Sequence, residues 1–246
     1  MQTMLTISLV SGLATGMGGF IVTLWRKPRE TYLTALLGFA AGVMLAVIIF
    51  DLLPAALIFG GFWPVSLGFI TGCLVLWSLD YLITLLSPAS PGGRSALVYF
   101  RKLGYLIAMG IALHDLPEGM AIAVGYESSQ KLGLTIALSI ALHNVPEGIA
   151  IATPLKMGGL GTPSITAVLT VLAMFTPLGS FLGLLLLTDS PQYLSYFLAF
   201  AAGAMSYIVK SELLPSLRRS GGTGTFLSLA AGFGLLMMIT LGNSGN

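Results

Sequence analysis

Two short windows of the chain gather both of its histidines and three of its acids, His114-Asp115-Leu116-Pro117-Glu118-Gly119 and His143-Asn144-Val145-Pro146-Glu147-Gly148. The chain has only 2 histidines and 9 acidic residues, and these windows take both histidines with Asp115, Glu118 and Glu147. In each window His and Glu stand four apart, so on a helix they share one face where a single ion can bridge them. Imidazole nitrogen with carboxylate oxygen suits zinc, iron, manganese or cobalt. Asp115 and Asn144 each follow a histidine and precede a glutamate by three, so Glu118 and Glu147 can bridge toward a second metal. Pro117 and Pro146 offer no N–H to the carbonyls of Leu113 and Leu142, which predicts a kink at the ligands. Gly119 and Gly148 leave the backbone beside them uncovered.

The elements that position these windows are membrane helices. Hydrophobic residues make up 56% of the 246 and charged residues 8%, with a mean hydropathy of +0.94. Apolar runs of roughly 20 residues are long enough to cross the ~30 Å hydrocarbon layer, and the alternation of a membrane barrel is absent. The pattern predicts an all-α membrane protein of eight spans in a single transmembrane domain, residues 1–246. The spans are Leu5 to Trp25, Tyr32 to Leu53, Phe62 to Leu86, Leu103 to Val124, Leu132 to Thr153, Ile165 to Leu187, Tyr193 to Leu214, and Phe226 to Leu241. The first span has no basic n-region and is expected to stay in the protein. Ser87 to Arg101, with Pro88, Pro91, Gly92 and Gly93, reads as an irregular loop.

Arg26, Lys27 and Arg29, then Arg94, Arg101 and Lys102, then Lys156, and last Arg218 and Arg219 with Lys210 nearby fall in or beside the odd-numbered loops. Those loops are therefore expected in the cytoplasm and both termini outside. The +2 net charge reflects this asymmetry, and no basic stripe for nucleic acid exists. The bilayer is the expected surrounding.

A second repeat pairs Gly38-Phe39-Ala40-Ala41-Gly42-Val43-Met44 in span two with Ala199-Phe200-Ala201-Ala202-Gly203-Ala204-Met205 in span seven. Each run leads to an acid and then a proline: Asp51 and Pro54, Glu212 and Pro215. Spans two and seven cross in opposite directions, as do four and five, so the chain reads as two inverted halves, a transporter pattern. His114, His143, Met44 and Met205 share one depth near mid-membrane, and Asp51 and Glu212 mark the two mouths of a path. An ionised carboxylate at that depth costs at least ~2.5–3.5 kcal/mol, and without Lys or Arg there a divalent cation is the fitting partner.

Other residues have plainer roles. Met44 alone would be core filler, but its depth and repeat partner single it out. Asp80 reads as structural and Cys73, the only cysteine, as packed among apolar side chains. Gly12/Gly16, Gly38/Gly42, Gly68/Gly72 and Gly179/Gly183 are spaced for close helix packing.

The paired windows, the eight spans and the inverted pattern resemble the ZIP (Zrt/Irt-like) family of metal-ion transporters over essentially the whole chain. That resemblance implies a three-two-three helix arrangement with outward-facing termini. It implies a primary transport site of His114, Glu118, His143 and Glu147, with a contact from Met44, and a secondary site at Asp115 and Asn144. It puts Asp51 in the entry path and Glu212 nearer the exit. One departure stands out: many members carry a glutamate before Pro-Leu-Gly on helix six, where this chain has Thr176-Pro177-Leu178-Gly179. The histidine-rich loop of many eukaryotic members is also missing, as in a compact prokaryotic form.

The expected activity is ATP-independent uptake of a divalent transition metal, most simply zinc, across the plasma (inner) membrane. No Walker-type G-x-x-x-x-G-K-[ST] is present. An inward-negative potential favours divalent entry by about 4–5 kcal/mol per 100 mV. Zn(II), Fe(II), Mn(II) and Cd(II) all suit the donor set as transported substrate, no cofactor is expected, and a homodimer is compatible with the sequence. A zinc hydrolase would need an acid/base group beyond the ligands, and a bis-histidine haem carrier would not place a carboxylate four residues from each histidine.

Overall fold

The computed structural model describes residues 1–24, 30–86, 94–187, 191–220 and 223–243, and among these every regular element is helical. Eight helices are long and apolar enough to cross a membrane: α1 (Gln2–Thr23), α2 (Thr34–Gly60), α3 (Phe62–Leu85), α4 (Ala96–Ser128), α5 (Gln130–Met157), α6 (Thr162–Leu186), α7 (Leu194–Leu213) and α8 (Thr223–Thr240). The span count matches the hydropathy pattern. The helices overrun several of the predicted edges, because backbone hydrogen bonding continues past the apolar layer. The helix that carries α4 begins at Arg94, so the predicted irregular loop up to Arg101 is helical in its second part. The rest of that loop, with Pro88, Pro91, Gly92 and Gly93, lies outside the described residues, as do Arg26, Lys27 and Arg29.

The helices sort into two packed groups: α1, α4, α5 and α6 in one, α2, α3, α7 and α8 in the other, joined where α4 meets α7 and α2 meets α5. Small residues make each group tight. A Cβ on Gly18 would lie 1.9 Å from the Val145 carbonyl, and one on Gly148 would lie 1.9 Å from the Thr15 carbonyl, so α1 and α5 touch backbone to backbone. Gly119 and Gly179 do the same for α4 and α6, Gly42 and Gly232 for α2 and α8, and Gly72 and Gly203 for α3 and α7. Gly16 does not take the expected part: nothing lies within 4 Å of where its Cβ would be, and Gly18 and Gly19 make the contacts instead.

Proline is met in two ways along the helices. α4 and α5 run unbroken through Pro117, Pro146 and Pro154. In α2 the backbone widens to a π-helix over Val47–Leu52, where the Leu53 N–H reaches back to the Ile48 carbonyl. In α7 the same happens over Val209–Leu213, where the Leu214 N–H bonds to the Val209 carbonyl. Pro54 and Pro215 follow directly; the extra residue in the turn absorbs the missing donor and the crowding of each ring. Asp51 and Glu212 both lie inside these widened turns. α6 is interrupted at Ala173–Met174, just ahead of Pro177.

Backbone contact at Gly18 and open space at Gly16 predict opposite effects of the same added methyl. Gly18→Ala should destabilise by roughly 1–3 kcal/mol through overpacking, lowering the thermal midpoint in detergent by several degrees. Gly16→Ala should leave the midpoint unchanged or raise it through helix propensity. Thermal unfolding of the two variants side by side checks the difference.

Candidate metal centre

The two windows face each other where α4 and α5 cross, and each is pressed from behind by a small-residue contact. α6 meets the first at Gly119 and Leu116, and α1 meets the second at Gly148 and Val145. His114, Asp115, Glu118, His143, Asn144 and Glu147 are all buried.

The shortest pairs run between the helices. His114 Nε2 lies 2.9 Å from Glu147 Oε1, and His143 Nε2 lies 2.8 Å from Glu118 Oε1. The pair within one helix, His114 to Glu118, is longer at 3.5 Å. Spacing of four does place His and Glu on one face, but the antiparallel copy opposite presents its own carboxylate to each imidazole. The two rings lie 6.2 Å apart between centroids at an interplanar angle of 28°. Donor atoms of His114, His143 and Glu147 all lie within 4.8 Å of one another, as do those of His114, Asp115 and Glu118, so either trio can close around one ion.

Hydrogen bonding inside the protein leaves much of this cluster unsatisfied. Nδ1 of both histidines, Oε2 of both glutamates, both carboxylate oxygens of Asp115 and Oδ1 of Asn144 are buried with no partner. An apolar interior does not tolerate so many unpaired polar atoms unless something else satisfies them. The Asn144 amide donates to the Ser11 carbonyl at 3.0 Å, which fixes its oxygen as the free end.

A cavity of about 330 Å³ reaches this cluster from one side. Asp51 and Pro54 of α2, Ser139 of α5 and Leu194 of α7 line it, and Glu118 and His143 are part of its wall. All three helices contribute the end that lies on this side, so Glu212, at the other end of α7, is on the opposite side of the protein. There the helices close: a Cβ on Gly110 would meet Ile208 at 2.0 Å and Leu76 at 3.3 Å. Asp80 takes an ion pair from Lys102 at 2.9 Å and a hydrogen bond from the Tyr207 hydroxyl at 2.8 Å, tying α3, α4 and α7 together as a structural residue should.

Of the other residues marked by the sequence, Met44 and Met205 are fully buried in the core. Thr176 is buried with its hydroxyl unpartnered. Cys73 is half-buried and donates to the Gly203 carbonyl at 3.1 Å. Sequence reasoning passed over Thr15 and Thr153, whose buried hydroxyls also lack a partner, because a threonine in an apolar helix gives no sign of whether it bonds the carbonyl one turn back.

Comparison with known proteins agrees with this geometry. The model of the family described as ZIP Zinc transporter matches residues 87–240, which include both windows. The zinc transporter ZupT of Corynebacterium glutamicum is 34% identical over 254 residues, 96% of this chain and 97% of that protein. That of Chlorobium luteolum is 34% identical over 239 residues, covering 89% and 90%, and that of Escherichia coli is 34% identical over 258 residues, covering 98% and 99%. With the paired windows inside the matched region and likeness running nearly end to end, the chain belongs to the ZIP zinc transporter family.

Proposed function

We propose that this protein carries zinc, or a divalent ion of similar size, into the cell across the plasma (inner) membrane, using the crossed His–Glu pairs of α4 and α5 as its transport site. One observation carries the reading: a fully buried cluster of two imidazoles and three carboxylates, rich in unpartnered donor atoms, stands at the end of a cavity lined by Asp51. His114, Glu118, His143 and Glu147 hold the ion at the primary position, with Met44 facing it from α2. Asp115 and Asn144 serve a second position, weaker because Thr176 offers a neutral hydroxyl where many family members have a carboxylate.

Asp51 draws cations into the cavity and Glu212 receives them on the opposite side. The basic loops put the cavity at the outer face and both termini outside, so this form is open outward and sealed inward at Gly110, Ile208 and Asp80. Inverted halves are supported by the matching widened turns before Pro54 and Pro215, and by glycine contacts that pair α1 with α5 as α4 with α6, and α2 with α8 as α3 with α7. The whole chain acts as one transporter domain embedded in lipid, and the apolar outer surface of α3 and α8 gives a homodimer room to form. Zinc is substrate here and no cofactor takes part.

The crossed pairs also say what happens to protons. Each His Nε2 to Glu Oε1 hydrogen bond holds one proton between the two atoms, and a metal that takes both atoms must displace it. Loading therefore releases protons and weakens as the solution becomes more acid.

Glu118→Ala and Glu147→Ala should each abolish zinc flux into proteoliposomes while the variants still purify as folded species; flux like that of the unmodified protein in both would overturn the proposal. Calorimetry of zinc binding in buffers of different ionisation enthalpy should report proton release between about pH 5 and 8, and affinity should fall toward the acid end. Heats that do not change with buffer would rule out displacement of the shared protons.

A further inference from the structure

Helical threonines and serines of this protein mostly give their hydroxyl proton to a carbonyl one turn back: Thr71 to Leu67 at 2.8 Å, Thr135 to Lys131 at 2.9 Å, Thr170 to Thr166 at 2.9 Å. Thr15, fully buried on α1, does not. Among the described residues, the buried side-chain atoms without a partner belong to the marked residues Asp51, His114, Asp115, Glu118, His143, Asn144, Glu147 and Thr176, and to just two others, Thr15 and Thr153. Thr153 lies more than a turn beyond Glu147 on α5. Thr15 lies on α1, whose preceding turn carries the Ser11 carbonyl that accepts the Asn144 amide.

Two contacts fix its place. The open side of Gly12, where a Cβ would be, lies 3.1 Å from Thr176 Oγ1, and the Ser11 carbonyl accepts the Asn144 amide at 3.0 Å. Residues three and four apart on a helix present neighbouring side chains, with about 5–6 Å between Cβ atoms. Thr15 is three past Gly12 and four past Ser11, so its side chain falls on the face of α1 whose preceding turn meets Thr176 and Asn144. The same Gly12 position lies 2.4 Å from the Ala173 carbonyl, to which Pro177 has no N–H to offer. Two buried hydroxyls without a partner, those of Thr15 and Thr176, thus lie on the helices that flank the windows. The packing also matches side to side: a Cβ on Gly148 would lie 1.9 Å from the Thr15 carbonyl, and one on Gly119 would lie 2.0 Å from the Thr176 carbonyl.

We propose that Thr15 supplies a ligand oxygen to the second position, which is an all-oxygen site of Asp115, Asn144, Thr15 and Thr176 for a hard divalent cation of the Mn(II) type. It contrasts with the imidazole–carboxylate position beside it, which takes borderline and softer ions. The proposal rests on the reading of the crossed His–Glu pairs as the primary cation position.

The test is the stoichiometry and affinity of Mn(II) and Cd(II) on the purified full-length protein by equilibrium dialysis, for the unmodified chain, Thr15→Val, Thr15→Ser and Glu147→Ala. The unmodified protein should bind a second Mn(II), weakened roughly tenfold in Thr15→Val, the effect of one lost polar contact, and kept in Thr15→Ser. The first equivalent of either metal should be unchanged in Thr15→Val. A second Mn(II) held as tightly by Thr15→Val as by the unmodified chain would overturn the proposal, and so would a single equivalent in the unmodified chain at all concentrations. Metal-free Thr15→Val should unfold at the same temperature as the unmodified protein or higher, since it loses only an unpartnered hydroxyl; a marked drop or failure to fold would assign Thr15 to packing and equally overturn it. Glu147→Ala separates the two levels. Loss of metal there with an indifferent Thr15→Val removes only the Thr15 assignment, whereas metal retained by Glu147→Ala removes the primary site on which it stands.

Discussion

Carboxylates buried in a hydrocarbon slab must meet positive charge or protons, and the packing around the two windows follows from that demand. Glu118 and Glu147 meet it across the α4–α5 crossing, each against the other helix's imidazole at under 3 Å. That distance is set by the backbones. α1 and α6 come close enough to hold the crossing because Gly18, Gly148, Gly119 and Gly179 remove every side chain from the line of contact. A bulkier residue at any of them would part the helices and lengthen the pairs they back.

The same demand accounts for the division of labour between the helices. The group of α1, α4, α5 and α6 holds the polar cluster, while α2 and α7 carry single acids where the cavity begins and on the far side. Asp51 and Glu212 are half-buried, unlike the fully buried glutamates of the crossing.

Much of this was legible in the residues. Eight apolar runs and the absence of strand alternation gave the fold class, because membrane thickness leaves few other solutions. The His-x-x-x-Glu windows pointed to the buried cluster that the structure brings together, because both histidines of the chain stand beside its mid-membrane acids. The crossing of the pairs was not legible: spacing reveals which side chains share a face, and only the partner helix decides which carboxylate each imidazole meets. The glycine pattern misled at Gly16 for a like reason, since small-residue spacing marks a smooth face without saying which turn touches. Helix ends at Arg94 and Gly60 escaped a reading based on hydropathy, which reports the lipid boundary and not the end of the hydrogen-bond ladder. Thr15 left no trace in the sequence.

The widened turns at Val47–Leu52 and Val209–Leu213 also act as a change of angular phase. Adding one residue to a turn rotates everything beyond it by about 100° relative to an uninterrupted helix. α2 therefore shows one stripe to α5 and α8 before the turn and a different one to α7 after it, where the Ser195 hydroxyl reaches the Ala56 carbonyl at 2.7 Å. A single rod could not keep both sets of neighbours on a straight stripe. Loss of any one residue from such a turn would restore regular α geometry and swing the far segment, with its interface, out of register, so the sequence between Met44 and Pro54 is constrained in length as much as in composition.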